Sequence, residues 1–96
     1  MTLRVGGHVW VPCEVKPGAF SDERLTRIHG GTTEWVGFVP TASLRDVVEK
    51  GATAVRAVVL DVCGETYVAQ PLGHSLGSSA FRADIRAVAP IGPVAA

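Results

Sequence analysis

Five side chains can bind a soft metal or form a nucleophile–base pair: His8, His29, His74, Cys13 and Cys63. None stands at a Cys-x-x-Cys or His-x₃-His spacing, so a zinc centre would need ligands scattered across the fold. The reading is therefore no metal and no cofactor, with surface histidines and core thiols. Cys13 shares the apolar face of its strand, which suits a buried thiol. The segment 72–80 places Ser75 beside His74. Acyl transfer would also need an orienting carboxylate and an oxyanion hole, and no Gly-x-Ser-x-Gly elbow is present. An enzyme requires His74 to meet a carboxylate such as Asp61 or Asp84 in one pocket. Without that meeting, 72–80 is a polar connection whose glycines let backbone N–H groups approach an anion. His74 stays a binding candidate because long loops on small barrels are where ligands are met.

The remaining chemistry is recognition by rings and guanidinium groups. Trp10, Trp35, Phe38 and Tyr67 suit a core or half-core. Trp10 lies on the Pro12–Glu14 face of its strand, which makes it the aromatic expected to be exposed. Beside Arg24, Arg27 or His29 it would form a stacking surface for a base or a peptide. A nucleic-acid patch would draw on Arg24, Arg27, Arg82 and Arg86. Nine basic and nine acidic side chains cancel, however, leaving no net field to gather phosphate. Asp84 between Arg82 and Arg86 reads as a self-neutralised edge.

The positioning elements are strands. The chain has 96 residues, enough for one domain with one core. It is 47% hydrophobic and 19% charged, which argues against disorder. Abundant Val, eleven Gly and six Pro favour short strands and tight turns. Strands are predicted at 9–15, 24–29, 34–39, 54–63, 66–71 and 81–88. Val9, Val11, Cys13 and Val15 share one face of the first, and Pro12 marks an edge or bulge there. Around Gly30-Gly31 a two-residue turn sets Arg27 opposite Glu34, while a four-residue turn sets Ile28 opposite Trp35. Segment 54–63 is apolar on both faces, as in a strand central to a barrel. Gly64-Glu65 suits a type II′ turn and places Tyr67 opposite Val62. In 81–88, Phe81, Ala83, Ile85 and Ala87 face inward. After Pro40, Ser43 and Asp46 form a weak capping box for a helix over 44–50 that ends at Gly51. Residues 1–88 form the barrel, and the proline-containing, uncharged tail 89–96 is expected to fray.

Residues 37–44, Gly-Phe-Val-Pro-Thr-Ala-Ser-Leu, resemble the stretch near the end of SH3 domains where a strand gives way to a single helical turn. The loop 16–23, with Phe20, Asp22 and Glu23, looks like the long acidic loop flanking an SH3 peptide groove. The resemblance implies a groove for Pro-rich or Arg-containing peptides, floored by Phe20, Trp35 and Pro40, with Asp22 and Glu23 attracting the cation. The second half, 54–88, could equally belong to an OB-like barrel.

The expectation is a mainly β, small SH3-like or OB-like barrel that acts as a non-catalytic binding or adaptor module for another protein or peptide. Contacts would come from Trp10, Phe20, Trp35 and loop 72–80. The alternative is a nucleic-acid-binding barrel, and an enzyme centred on loop 72–80 ranks third. Apolar runs fall short of the roughly 20 residues of a membrane span. No basic flank precedes an apolar run at the N-terminus, so a reducing cytoplasm is expected.

Overall fold

A computed structural model describes residues 3–17, 22–30, 34–47, 52–72, 80–86 and 88–93. The strands are β1 (His8–Pro17), β2 (Glu23–His29), β3 (Glu34–Pro40), β4 (Leu44–Val47), β5 (Ala52–Cys63), β6 (Thr66–Pro71), β7 (Phe81–Asp84) and β8 (Gly92–Pro93). They lie in the order β3-β2-β1-β5-β6-β7, with β4 on β5 and β8 on β1, and every pairing is antiparallel. The Asp84 N–H donates to the Gly30 carbonyl at 3.1 Å, so the last strand of the row meets the end of β2 and the sheet nearly closes into a six-strand barrel.

Alternating apolar residues fill the interior. Val9, Val11, Ile28, Trp35, Val39, Val55, Ala57, Val59, Tyr67, Ala69, Phe81 and Ala83 are all buried there. Tyr67 and Phe81 meet edge to face with centroids 6.0 Å apart. The Tyr67 hydroxyl donates to the Val88 carbonyl at 2.6 Å, satisfying a phenol that burial would otherwise penalise. Trp35 folds back along β3, and a Cβ added at Gly37 would lie 2.8 Å from its Cη2. Only glycine leaves room there for the ring.

Register follows the turns. Ile28 faces Trp35, which is the longer of the two turns expected around Gly30. Val62 faces Tyr67, and Gly64 takes φ 61° while no other residue type has positive φ among the described residues, as a type II′ turn requires. Pro12 lies between the β8 bridge at Val9–Trp10 and the β2 ladder that begins at Glu14, so its missing N–H falls where β1 changes partners. The apolar character of both faces of β5 has a specific origin. Leu60 points outward by alternation with the buried Val59 and is 44% exposed, while the register shift between Val59 and Asp61 brings Val62, of the same parity as Leu60, against the core.

Three expected elements differ. No helix occupies 44–47. A single 3₁₀ turn spans Thr41–Ser43, and Leu44 is already extended at φ −111°, ψ 150°. A seven-residue helix is marginal in isolation, whereas Leu44–Val47 gains a ladder along Ala52–Val55. Positions 48–50 of the expected helix lie outside the described residues. The strand expected over 81–88 stops at Asp84, whose carboxylate accepts the Arg86 N–H at 2.8 Å and turns the chain. Of the tail 89–96 expected to fray, the described part holds an eighth strand, and 94–96 lie outside the described residues. Ile91 N–H donates to the Trp10 carbonyl, and Gly92–Pro93 pairs with Val9–Trp10.

Candidate functional site

The outer face of β4-β5-β1 gathers an aromatic ring and two guanidinium groups. Register dictates the arrangement. Leu44, Val55 and Val11 point inward, so Arg45, Ala54 and Pro12 form a row on the opposite face. In the next row Arg56 stands opposite Trp10, and His8 stands opposite Val58 in the row after that. Arg45 reaches diagonally across Ala54 to set its Cζ 5.6 Å from the centroid of the Trp10 ring. The small Ala54 has no exposed surface although it lies on the outer face. Trp10 is half-buried and Arg45 is exposed.

Arg56 is held from the other side. Its Nε lies 3.4 Å and its Nη2 3.1 Å from His8 Nδ1. A guanidinium only donates, so Nδ1 accepts and the His8 ring carries its proton on Nε2. Neither Arg45 nor Arg56 forms an ion pair among the described residues. An indole with a cation over it, a second oriented cation and an imidazole can receive a planar or anionic group.

The arginines proposed from sequence do not form a patch. Arg24 and Arg27 have opposite parity on β2 and so lie on opposite faces. Arg27 pairs with Glu34 at 2.7 Å, Arg86 pairs with Glu65 at 2.8 Å, and Arg24 donates to the Glu23 carbonyl. Arg82 is exposed on β7. His29 lies between Glu14 (3.3 Å) and Glu34 (3.8 Å) rather than beside Trp10.

Of the expected peptide groove, Trp35 is 3% exposed and belongs to the core, so it offers no contact surface. Glu23 does face Pro40, and the Asp22 carbonyl accepts the Thr41 N–H, so Asp22, Glu23 and Pro40 meet at one end of the β2–β3 hairpin. Phe20 and His74 lie outside the described residues. Asp61 and Asp84 each accept a nearby backbone N–H, from Val62 and Arg86 respectively.

A notch of about 230 Å³ is lined by Pro12, Cys13, Glu14, His29 and Val88. It brings a thiol and an imidazole to one place, but burial pushes the Cys13 thiol up to about 12 and its Sγ donates to the Thr53 carbonyl at 3.6 Å. At neutral pH this is a protonated thiol and a poor nucleophile. Among the described residues no group of three His, Cys, Asp or Glu side chains is placed to hold a metal ion. No described helix is long and apolar enough to cross a membrane.

The sequence points to Trp10 but not to its neighbours on this face: Arg45 falls in the expected helix, and Arg56 in a strand read as apolar. A single arginine within Ala54–Leu60, alternating with Val55 and Ala57, was the available signal. Comparisons with protein-family models, with curated proteins and with solved structures find no match for this chain.

Proposed function

We propose that this chain is a non-catalytic binding module that meets another protein or peptide through the outer face of β4-β5-β1. The observation carrying this reading is the half-buried Trp10, flanked by Arg45 over its ring and by Arg56 opposite it in the ladder. Side chains with these properties dominate contact energies at protein interfaces, because they bury large areas with little loss of freedom. The two free cysteines suit a reducing compartment.

Capture experiments from the native host with the intact chain and with Trp10→Ala test the reading. Val36→Ala serves as the control, because Val36 is exposed on a different outer face, that of the β2–β3 hairpin. Trp10→Ala should abolish capture of a reproducible partner and Val36→Ala should preserve it. Equal capture by all three proteins would place the contact elsewhere.

A further inference from the structure

We infer that the Trp10 face takes a carboxylate-bearing extended segment of its partner, with two acidic side chains separated by one residue. This rests on the binding-module reading above and specifies the partner's chemistry.

The donors are the first argument. His8 Nδ1 engages Arg56 through Nε and Nη2. A guanidinium has five N–H donors, so the end of the fork formed by Nη1 and the second Nη2 hydrogen remains for a carboxylate to accept from in bidentate fashion. Arg45 lies over the Trp10 ring. A cation–π contact occupies none of its N–H donors with a hydrogen-bond acceptor, so they remain for a carboxylate. Both cations are oriented before any ligand arrives, which lowers the ordering cost of binding.

Spacing is the second argument. Arg45 is opposite Ala54, and Arg56 is two residues further along β5 on the same face. Such diagonal neighbours are about 7–8 Å apart. Alternate side chains of an extended peptide are about 6.6 Å apart. The spacing of an acid-x-acid pair therefore matches that of the two strand positions from which the arginines project.

Extent is the third argument, and it separates this partner from a nucleic acid. A phosphate backbone is followed by a row of cations or a groove of them. Here the chain is neutral overall, Arg27 and Arg86 are occupied by Glu34 and Glu65, and Arg24 and Arg82 lie on other strands. Two oriented guanidinium groups beside one indole suit a compact pair of carboxylates. Among the described residues, two nearby acids are already engaged: Glu14 faces His29, and Asp46 accepts from the Thr53 hydroxyl at 3.3 Å.

The test is an NMR titration of the full chain that follows the Trp10 indole N–H and the Arg45 and Arg56 Nε–H signals. Three probes are compared: a twelve-residue peptide of repeating Glu-Thr, its Gln-Thr counterpart and a single-stranded oligothymidylate. The Glu-Thr peptide should shift all three signals. Arg45→Gln and Arg56→Gln should each weaken it about tenfold, the scale of one charge-assisted contact. Circular dichroism confirms that both variants are folded. Equal binding of the Gln-Thr peptide at Trp10 would overturn the acidic partner while leaving the binding face standing. Shifts at these signals by oligothymidylate alone would overturn it in favour of a phosphate ligand. If no probe shifts Trp10, the acid-x-acid proposal falls; if Trp10→Ala also leaves partner capture intact, the binding face falls with it.

Discussion

Tyr67→Phe removes one oxygen atom and isolates a bond that ties Val88 to the barrel core. The Tyr67 ring is 1% exposed, and its hydroxyl donates to the Val88 carbonyl at 2.6 Å. Phenylalanine keeps the ring and its edge contact with Phe81. What is lost is the bond, leaving the Val88 carbonyl without this donor at a buried site, at a cost of about 1–3 kcal/mol. A domain of this size has about 5–14 kcal/mol of stability in total. Each kcal/mol moves Tm by about 4–8 °C, so a fall of roughly 5–20 °C is expected at pH 7. The pH dependence sharpens the test. Burial raises the Tyr67 pKa above its ordinary value, because it disfavours the phenolate. Below pH ~10 the folded and unfolded chains both hold this proton, and it makes no difference to stability. Above pH ~10 the unfolded chain releases it first, so the wild type loses up to about 1.4 kcal/mol per pH unit through this group. Tyr67→Phe has no such proton, so its deficit relative to wild type should narrow as pH rises from about 10. Urea denaturation followed by circular dichroism between pH 7 and 11.5 reads both effects. Equal stability at pH 7, or a deficit that stays constant through the alkaline range, would refute the reasoning.

Two further outcomes follow from the same structure. Gly37→Ala should cost about 1–3 kcal/mol in urea denaturation and red-shift the fluorescence of Trp35, because the new methyl group would lie 2.8 Å from the indole, which must then move. A disulfide-exchange reagent at pH 8 should modify one thiol per native chain, the exposed Cys63, and two in denaturant, since burial holds the Cys13 thiol protonated up to about 12.

The strands were legible because one face of each is sealed. Val9 and Val11, Phe81 and Ala83 alternate with outward side chains, and burial enforces that period. The hairpin at Gly64 was legible because only glycine takes that backbone cheaply. The segment after Pro40 departs from the expected helix although its Leu44, Val47, Val48 spacing has the helical period. The choice belongs to β5, whose first residues offer Leu44–Val47 a ladder that no local pattern announces. The tail was misread for a related reason: Gly92–Pro93 finds a partner in Trp10, more than eighty positions earlier. The candidate face is a product of register. Arg45, Arg56, Trp10 and His8 come from three strands, and their meeting depends on which residue faces which across β1 and β5.

Charge allocation shows why a neutral chain can still present a cationic surface. Its formal balance is zero, yet ion pairing is uneven across the barrel. On the outer face of β1-β2-β3, Glu14, Arg27, His29 and Glu34 satisfy one another. At the Gly64 turn Glu65 takes Arg86. These pairs are exposed and contribute little to stability, but each removes a carboxylate that would otherwise screen a free cation. On the β4-β5-β1 face, among the described residues, the guanidinium groups meet a ring and an imidazole instead of an acid. Neither partner neutralises them, so the positive potential there survives at short range even though it vanishes in the sum. With a Debye length of about 8 Å in physiological salt, a partner close to the surface experiences this local field and is insensitive to the distant pairs. Whole-chain charge therefore speaks against long-range steering, while the local arrangement on the β4-β5-β1 face favours short-range recognition of an anionic group.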